Sequence, residues 1–320
     1  MKFKRIGLSE INLKERIFRY TLTPADERLL LSVREIGVIQ PIIVWKKDRS
    51  YIPVTGFRRL EAAEKLQLSE VPALELEENY TPLEAFRMAF YDNLGSRLLS
   101  LAEKALAVRK FTEFGLEETE IIRKVLSRLG VPPSGRTLRI LLDLAAEENL
   151  LPAVHEKNWK LAAVEKFLFF SEEEKSLLLR LVAGVSLNRQ TELIDGFYAL
   201  KKRTGRSLPE MFEEPEFQAV LGRLETNKVQ AAEKMAEILK EKLFPLVSEI
   251  TREIEKEIRD LSLPRQVRVE YDRTLEEPRL RLQAELSSAE ELKDLLGELG
   301  TAERERHWSN LFKIMNRAEG

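Results

Sequence analysis

The sequence predicts a multidomain α+β protein: a small α/β N-terminal domain, an all-helical helix-turn-helix middle, long helices and a C-terminal β-β-α unit. Two observations carry this expectation. At 320 residues the chain exceeds what one ordinary core organises, and a prior of about 100–200 residues per domain gives two or three units. The apolar pattern also changes along the chain, alternating between strand and helix periods up to residue 95, holding to helical spacing through the middle and returning to strands after Pro264. The expected divisions are 1–95, 96–205 (helix-turn-helix domain), 206–263 (long helical linker region) and 264–320 (a dimerisation region).

Each element follows from local pattern. Ala25 to Ile36 carries Leu29, Leu30, Val33 and Ile36 at helical spacing and stops at Gly37, a residue type that commonly ends helices. PIIVW (Pro41 to Trp45) and YIPVT (Tyr51 to Thr55) flank the polar KKDRS and predict a hairpin. Phe57 to Leu68 is helical again, and VPALEL (Val71 to Leu76) predicts a third strand. From Leu83 to about Ala199 nearly every segment is helical, with breaks at Gly115, at Gly130 to Gly135, near Pro152 and at Gly184. Pro215 to Leu261 reads as two helices or one helix kinked at Pro245. VRVEY (Val267 to Tyr271), RLRLQAEL (Arg279 to Leu286) and the helix SAEELKDLLGEL complete the β-β-α unit.

Composition excludes several chemistries. The chain has no cysteine, which removes disulfides, thiolate metal sites and cysteine nucleophiles. Its two histidines, His155 and His307, lie far apart in no metal-binding spacing and read as surface or cap residues. No zinc, haem or flavin is expected. No apolar run approaches the roughly 18 residues of a membrane span, so a cytoplasmic protein without membrane contact is expected. A net charge of -2 offers no long-range attraction to nucleic acid, and any DNA contact must come from a local basic surface.

Two stretches carry chemistry. Thr55-Gly56-Phe57-Arg58-Arg59 places glycine and two arginines where a strand turns into a helix. Unpaired amides at a helix start, close backbone approach at glycine and the guanidinium fork together suit a phosphate. In the middle, Glu113 to Leu144 reads as helix, turn, helix, with Ile121, Ile122, Val125 and Leu129 on one buried side and Leu138, Leu141, Leu142 and Ala145 on the other. Between Ile121 and Leu142 it has Arg123, Lys124, Arg128, Arg136 and Arg139 and no acidic residue. Ser134, Arg136, Thr137 and Arg139 start the second helix, where helix-turn-helix proteins meet bases and phosphates. A helical hairpin with a solvated basic face is the alternative.

The succession LLSVREIGVIQPIIV (Leu30 to Val44), VTGFRRLEAAEKL (Val54 to Leu66) and DNLGSRLLSLAEKA (Asp92 to Ala105) resembles the three boxes of the ParB family. SGRTLRILLDL resembles that family's recognition-helix segment, LNRQTELIDGF (Leu187 to Phe197) its closing helix, and Arg279 to Leu299 its dimerisation module. The resemblance implies a ParB/sulfiredoxin-like N-terminal domain with a CTP pocket on Gly37, Gln40, Gly56, Arg58, Arg59, Asp92 and Asn93, the last two also holding magnesium. It implies DNA binding through Arg123, Lys124, Ser134, Arg136, Thr137 and Arg139, a homodimer formed through the C-terminal region, a partner ATPase and a nucleoid-associated, cytoplasmic protein acting in chromosome or plasmid partition. The nucleotide would govern closure of a DNA clamp.

The helix near Trp159 to Leu168 lacks the family's Gly-His-Ala, and the chain departs from the three boxes at three places. Phe57 replaces the glutamate of G-E-R-R, Glu61 replaces a following arginine and Ser96 stands in an arginine position with Arg97 one residue on. Loss of the glutamate points to binding rather than turnover, at most a weak CTPase, and Glu61 is expected to repel phosphate. A transcriptional regulator or scaffold with a decayed nucleotide site is the alternative, and a ParB-fold phosphotransfer enzyme or nuclease is the rival from another class.

Overall fold

β1 (Lys2–Gly7), β2 (Ile42–Lys47), β3 (Ser50–Pro53) and β4 (Glu70–Leu76) form one sheet in the order β1-β4-β2-β3. The computed structural model describes residues 1–47, 50–77, 79–224, 226–272 and 279–317; Asp48 and Arg49 of the expected KKDRS turn lie outside them. β2 and β3 are antiparallel, as the hairpin pattern predicts, while β2 and β4 are parallel, with α2 (Phe57–Lys65) between β3 and β4 in the chain. β1 was not foreseen. It pairs antiparallel with β4 and buries Ile6 while Phe3 remains exposed, so only one of its side chains gives a core signal.

The sheet core joins Ile6, Ile42, Val44, Val71 and Ala73 to Leu60 and Ala63 of α2. α1 (Glu27–Ile36) adds Val33 against Ala62 and begins with Asp26, whose side chain accepts from the Leu29 amide. Gly37 ends this helix at φ 72. The segment between β1 and α1 lacks regular structure beyond one short 3-10 turn (Leu8–Glu10), yet Phe18 and Tyr20 are buried within it. The Tyr20 ring meets Phe86 and Phe90 of α3 (Pro82–Ser96), the Phe18 ring meets Trp45 and Phe114, and Phe86 and Phe90 stand 4.8 and 5.0 Å from Phe111 of α4 (Leu101–Glu113). This aromatic core seats the first helix of the all-helical region against the α/β domain.

α5 (Glu118–Glu120) runs directly into a π-helical turn, Ile121–Leu126, and α6 (Gly135–Ala146) follows. Ile121, Val125 and Leu129 are buried on one side, and Leu138, Leu141 and Ala145 on the other. Arg109 of α4 donates to the Ala145 carbonyl at 2.6 Å, placing a cation at the last turn of α6. α7 (Leu151–Lys157), α8 (Leu161–Leu168) and α9 (Glu172–Val182) complete a compact unit, residues 1–183.

The second unit spans residues 184–320. α10 (Leu187–Thr204), placed by sequence in the helix-turn-helix domain, belongs to this unit and crosses α13 (Lys228–Leu243) closely at Gly196, where a Cβ would lie 2.9 Å from Leu239. α11 (Leu208–Phe212) and α12 (Pro215–Leu221) bring Phe212 and Phe217 against Phe197 of α10. Pro245 sits in the first turn of α14 (Pro245–Asp260), so Pro215 to Leu261 forms three helices, α12, α13 and α14, rather than two or one kinked. β5 (Val267–Tyr271) and β6 (Leu280–Ala284) pair antiparallel, followed by α15 (Ala289–Leu299) and the unforeseen α16 (Ala302–Asn316). Leu311, Ile314 and Met315 of α16 pack on Ile250 and Ile254 of α14. His307 shares this contact, its Nδ1 lying 2.6 Å from Glu257. Of the apolar faces expected to dimerise, Leu295 is buried, while Leu282, Leu292 and Leu296 are exposed.

Candidate functional site

Gly56 opens α2 with φ 83, a left-handed value that side-chain-bearing residues rarely adopt. A Cβ here would also stand 2.5 Å from Cγ2 of Ile42, which is fully buried in β2. The helix start is thereby fixed against the sheet at the edge of a cleft of about 220 Å³. Gln40, Gly56, Arg58, Arg59, Asp92 and Asn93 line it together with Phe57, Ser96 and Arg97. Three segments far apart in sequence thus meet at one place, as the three motifs require. Gly37 does not line the cleft; its left-handed backbone serves to end α1.

The guanidinium groups are held individually. Arg58 donates from Nε to the Pro24 carbonyl at 2.9 Å and pairs through Nη2 with Asp26 at 2.7 Å. Arg59 donates from Nη1 to the Gln40 and Pro41 carbonyls, each at 2.8 Å, and lies 3.8 Å from Asp92. Burial lowers its pKa, and the Asp92 charge opposes that shift. Asn93 donates to the Ala89 carbonyl at 2.8 Å and Ser96 to the Asn93 carbonyl at 3.1 Å, both extending the last turn of α3. The lining has three guanidinium groups and one carboxylate, and each guanidinium has a carboxylate partner: Asp26 for Arg58, Asp92 for Arg59 and Glu103 for Arg97.

Glu61 does not act as expected. It pairs with Arg19 at 2.5 Å and accepts from the Ala25 amide at 3.0 Å, outside the residues that line the cleft. Arg19 also covers the Phe57 ring at 5.8 Å. The two family departures at 57 and 61 are therefore joined through one arginine, which neutralises the glutamate and removes its repulsion of phosphate.

Sequence reading missed Glu103. This carboxylate is fully buried at the start of α4, where Arg97 grips it with Nη1 at 3.0 Å and Nη2 at 2.7 Å. The Leu22 and Ser100 amides donate to it at 2.9 and 3.1 Å. Burial raises its pKa, but the Arg97 fork and these amides outweigh burial and hold the carboxyl below its usual value. Ser100 is also 2.8 Å from His155 Nδ1, whose Nε2 faces Thr23 Oγ1 at 3.5 Å. The signal was Ser100-x-x-Glu103, the spacing of a capping box.

At the start of α6, Ser134 caps the helix by accepting from the Thr137 amide at 3.1 Å, and the two hydroxyls are 3.0 Å apart. Thr137 is only 3% exposed. Expected at DNA, it is here the buried partner of the Ser134 cap. Arg123, Lys124, Arg136 and Arg139 are exposed, and Lys124 pairs with Glu120 one turn earlier. Arg136 reaches Glu165 of α8 at 2.5 Å.

These features define a small α/β domain with an arginine-lined cleft, followed by a helix, a turn and a second helix that carry exposed cations. A family model described as the ParB N-terminal domain matches residues 6–94. The chain is 30% identical over 191 residues to a probable chromosome-partitioning protein ParB of Coxiella burnetii, covering 58% of this chain and 63% of that one. It is 31% identical over 169 residues to a nucleoid occlusion protein of Bacillus cereus, covering 52% and 56% respectively. The match therefore spans less than two thirds of these relatives. A solved Pnob8-like ParB-N domain aligns with 78% of this chain and 96% of its own at 18% identity and a TM-score of 0.38. Residues 6–94 carry a ParB N-terminal domain, and the chain is similar over its first part to these partition and nucleoid occlusion proteins.

Proposed function

We propose that this ParB-like protein binds double-stranded DNA through its helix-turn-helix and takes the phosphates of a nucleoside triphosphate, CTP by resemblance, in the N-terminal cleft. The observation that carries the reading is the convergence of Gln40, Gly56 to Arg59, and Asp92, Asn93, Ser96 and Arg97 on one cleft. At about 220 Å³ it is smaller than the roughly 300–1,000 Å³ of sites that enclose a whole ligand, and it suits phosphates with the base and sugar lying toward the mouth. Asp92 and Asn93 supply the oxygen ligands that would hold magnesium, which neutralises charge on bound phosphates. Among the described residues no group of three metal-ligating side chains gathers, and a magnesium held by one or two protein oxygens plus phosphate needs none.

The DNA face consists of Arg123, Lys124, Arg136 and Arg139, with Ser134 at the helix start. The roles extend to partition or nucleoid occlusion, as in the named relatives, in a nucleoid-associated, cytoplasmic protein. The exposed Leu282, Leu292 and Leu296 support a homodimer made through the C-terminal region. A partner ATPase is part of the same proposal. No helix among the described residues is long and apolar enough to cross a membrane.

A second reading, a DNA-binding regulator or scaffold without nucleotide response, is favoured by one observation: Arg97 is already occupied by a fully buried carboxylate. For DNA contact, the double variant Arg136→Ala, Arg139→Ala is expected to weaken duplex binding and to make the slope of log affinity against log salt shallower by about one. Fluorescence anisotropy across a salt series checks this. Unchanged affinity and slope would remove the helix-turn-helix from the DNA face.

A further inference from the structure

The five exposed cations of the helix-turn-helix, Arg123, Lys124, Arg128, Arg136 and Arg139, are not equivalent. Lys124 pairs along its own helix with Glu120, whereas Arg136 is gripped from a neighbouring helix. Its side chain is 76% exposed, yet both Nε and Nη2 lie 2.5 Å from Oε1 of Glu165 on α8. α8 packs against α6, so the carboxylate is carried on a rigid element rather than on a loop.

We propose that Glu165 is a positioning residue that fixes Arg136 to read a guanine and keeps it from acting as a phosphate contact. The inference rests on the DNA-binding reading above. Arginine has five N–H donors in a planar fork, and Glu165 engages the Nε/Nη2 edge. The Nη1/Nη2 end remains, on a side chain that is largely exposed at the start of the second helix. That end matches the O6 and N7 acceptors of guanine in the major groove, a pairing that requires a fixed guanidinium plane. Phosphate requires charge instead, and a carboxylate in contact with the guanidinium cancels it. Arg136 and Glu165 together release few counterions, whereas Arg123 and Arg139 supply the salt-dependent grip. The division is between one cation that specifies and others that position.

The test uses the full chain and a randomised duplex pool, comparing wild type with Glu165→Gln and Arg136→Ala. Glu165 is partly exposed, so both variants are expected to keep the wild-type far-UV circular dichroism. Wild type should enrich a guanine at one position that Arg136→Ala no longer prefers, with little change in salt slope. Glu165→Gln should retain duplex binding, lose about tenfold of the preference for that guanine, and show a salt slope steeper by about 0.9, because the guanidinium charge is released to phosphate. The inference is overturned if Glu165→Gln selects the same guanine with undiminished preference and an unchanged slope, or if the wild-type motif has no guanine that depends on Arg136. A wild-type chain that binds no duplex overturns the DNA-binding reading instead, and this inference with it.

Discussion

Glu103→Ala is expected to destabilise the N-terminal unit by about 3–5 kcal/mol, the cost of removing one partner from a buried ion pair. The carboxylate is fully buried, and its loss leaves the Arg97 fork without its anion and the Leu22 and Ser100 amides without their acceptor. Those groups belong to the segment before α1, the end of α3 and the start of α4, so the loss should appear as a lowered midpoint for the whole unit in urea unfolding. Glu103→Gln separates charge from shape. Because the folded carboxyl lies below its usual value, its stabilisation is complete above the unfolded pKa of about 4.3 and is lost as pH falls through the lower folded value. Wild type should therefore lose stability between about pH 4.3 and the folded pKa more steeply than Glu103→Gln. Equal slopes would show that Glu103 is not ionised in the folded protein.

Gly56→Ala should be nearly as damaging, and it acts on the cleft directly. A left-handed backbone costs a non-glycine residue about 1–2 kcal/mol, and crowding a packed core costs about 1–3 kcal/mol more. The crowding is unavoidable because the new Cβ meets Ile42, a fully buried β-branched side chain on the central strand β2. Relief requires the start of α2 to move, which displaces Arg58 and Arg59 from Pro24, Gln40 and Pro41. The expected result is a thermal midpoint lowered together with loss of nucleotide binding. A variant that keeps both would show that the helix start tolerates a side chain and that the glycine is not there for close approach.

The parts of the site readable from sequence were those with a local signature. Glycine followed by two arginines between a strand and a helix needs no tertiary information, and neither does a basic run flanking a proline-rich turn. What stayed hidden depends on distant partners. Glu61 looked repulsive because Arg19, its neutralising partner, is 42 positions earlier in a segment without periodicity. Arg97 and Glu103 sit on opposite sides of a helix break, where no fixed spacing predicts contact. Thr137 follows Ser134 by three residues, a capping distance that could have marked it as inward-facing. β1 and α16 escaped for a related reason: β1 is an edge strand burying only Ile6, and α16 finds its core on α14, far back in the chain.

The central claim, that the cleft takes nucleotide phosphates, is tested most directly by equilibrium binding of labelled CTP, ATP, GTP and UTP with magnesium, with and without duplex DNA. The account predicts saturable, magnesium-dependent binding of CTP that Arg58→Ala abolishes. Absence of saturable binding by any of the four, in a protein that still binds DNA, would contradict it and leave a DNA-binding scaffold whose arginines serve only the fold.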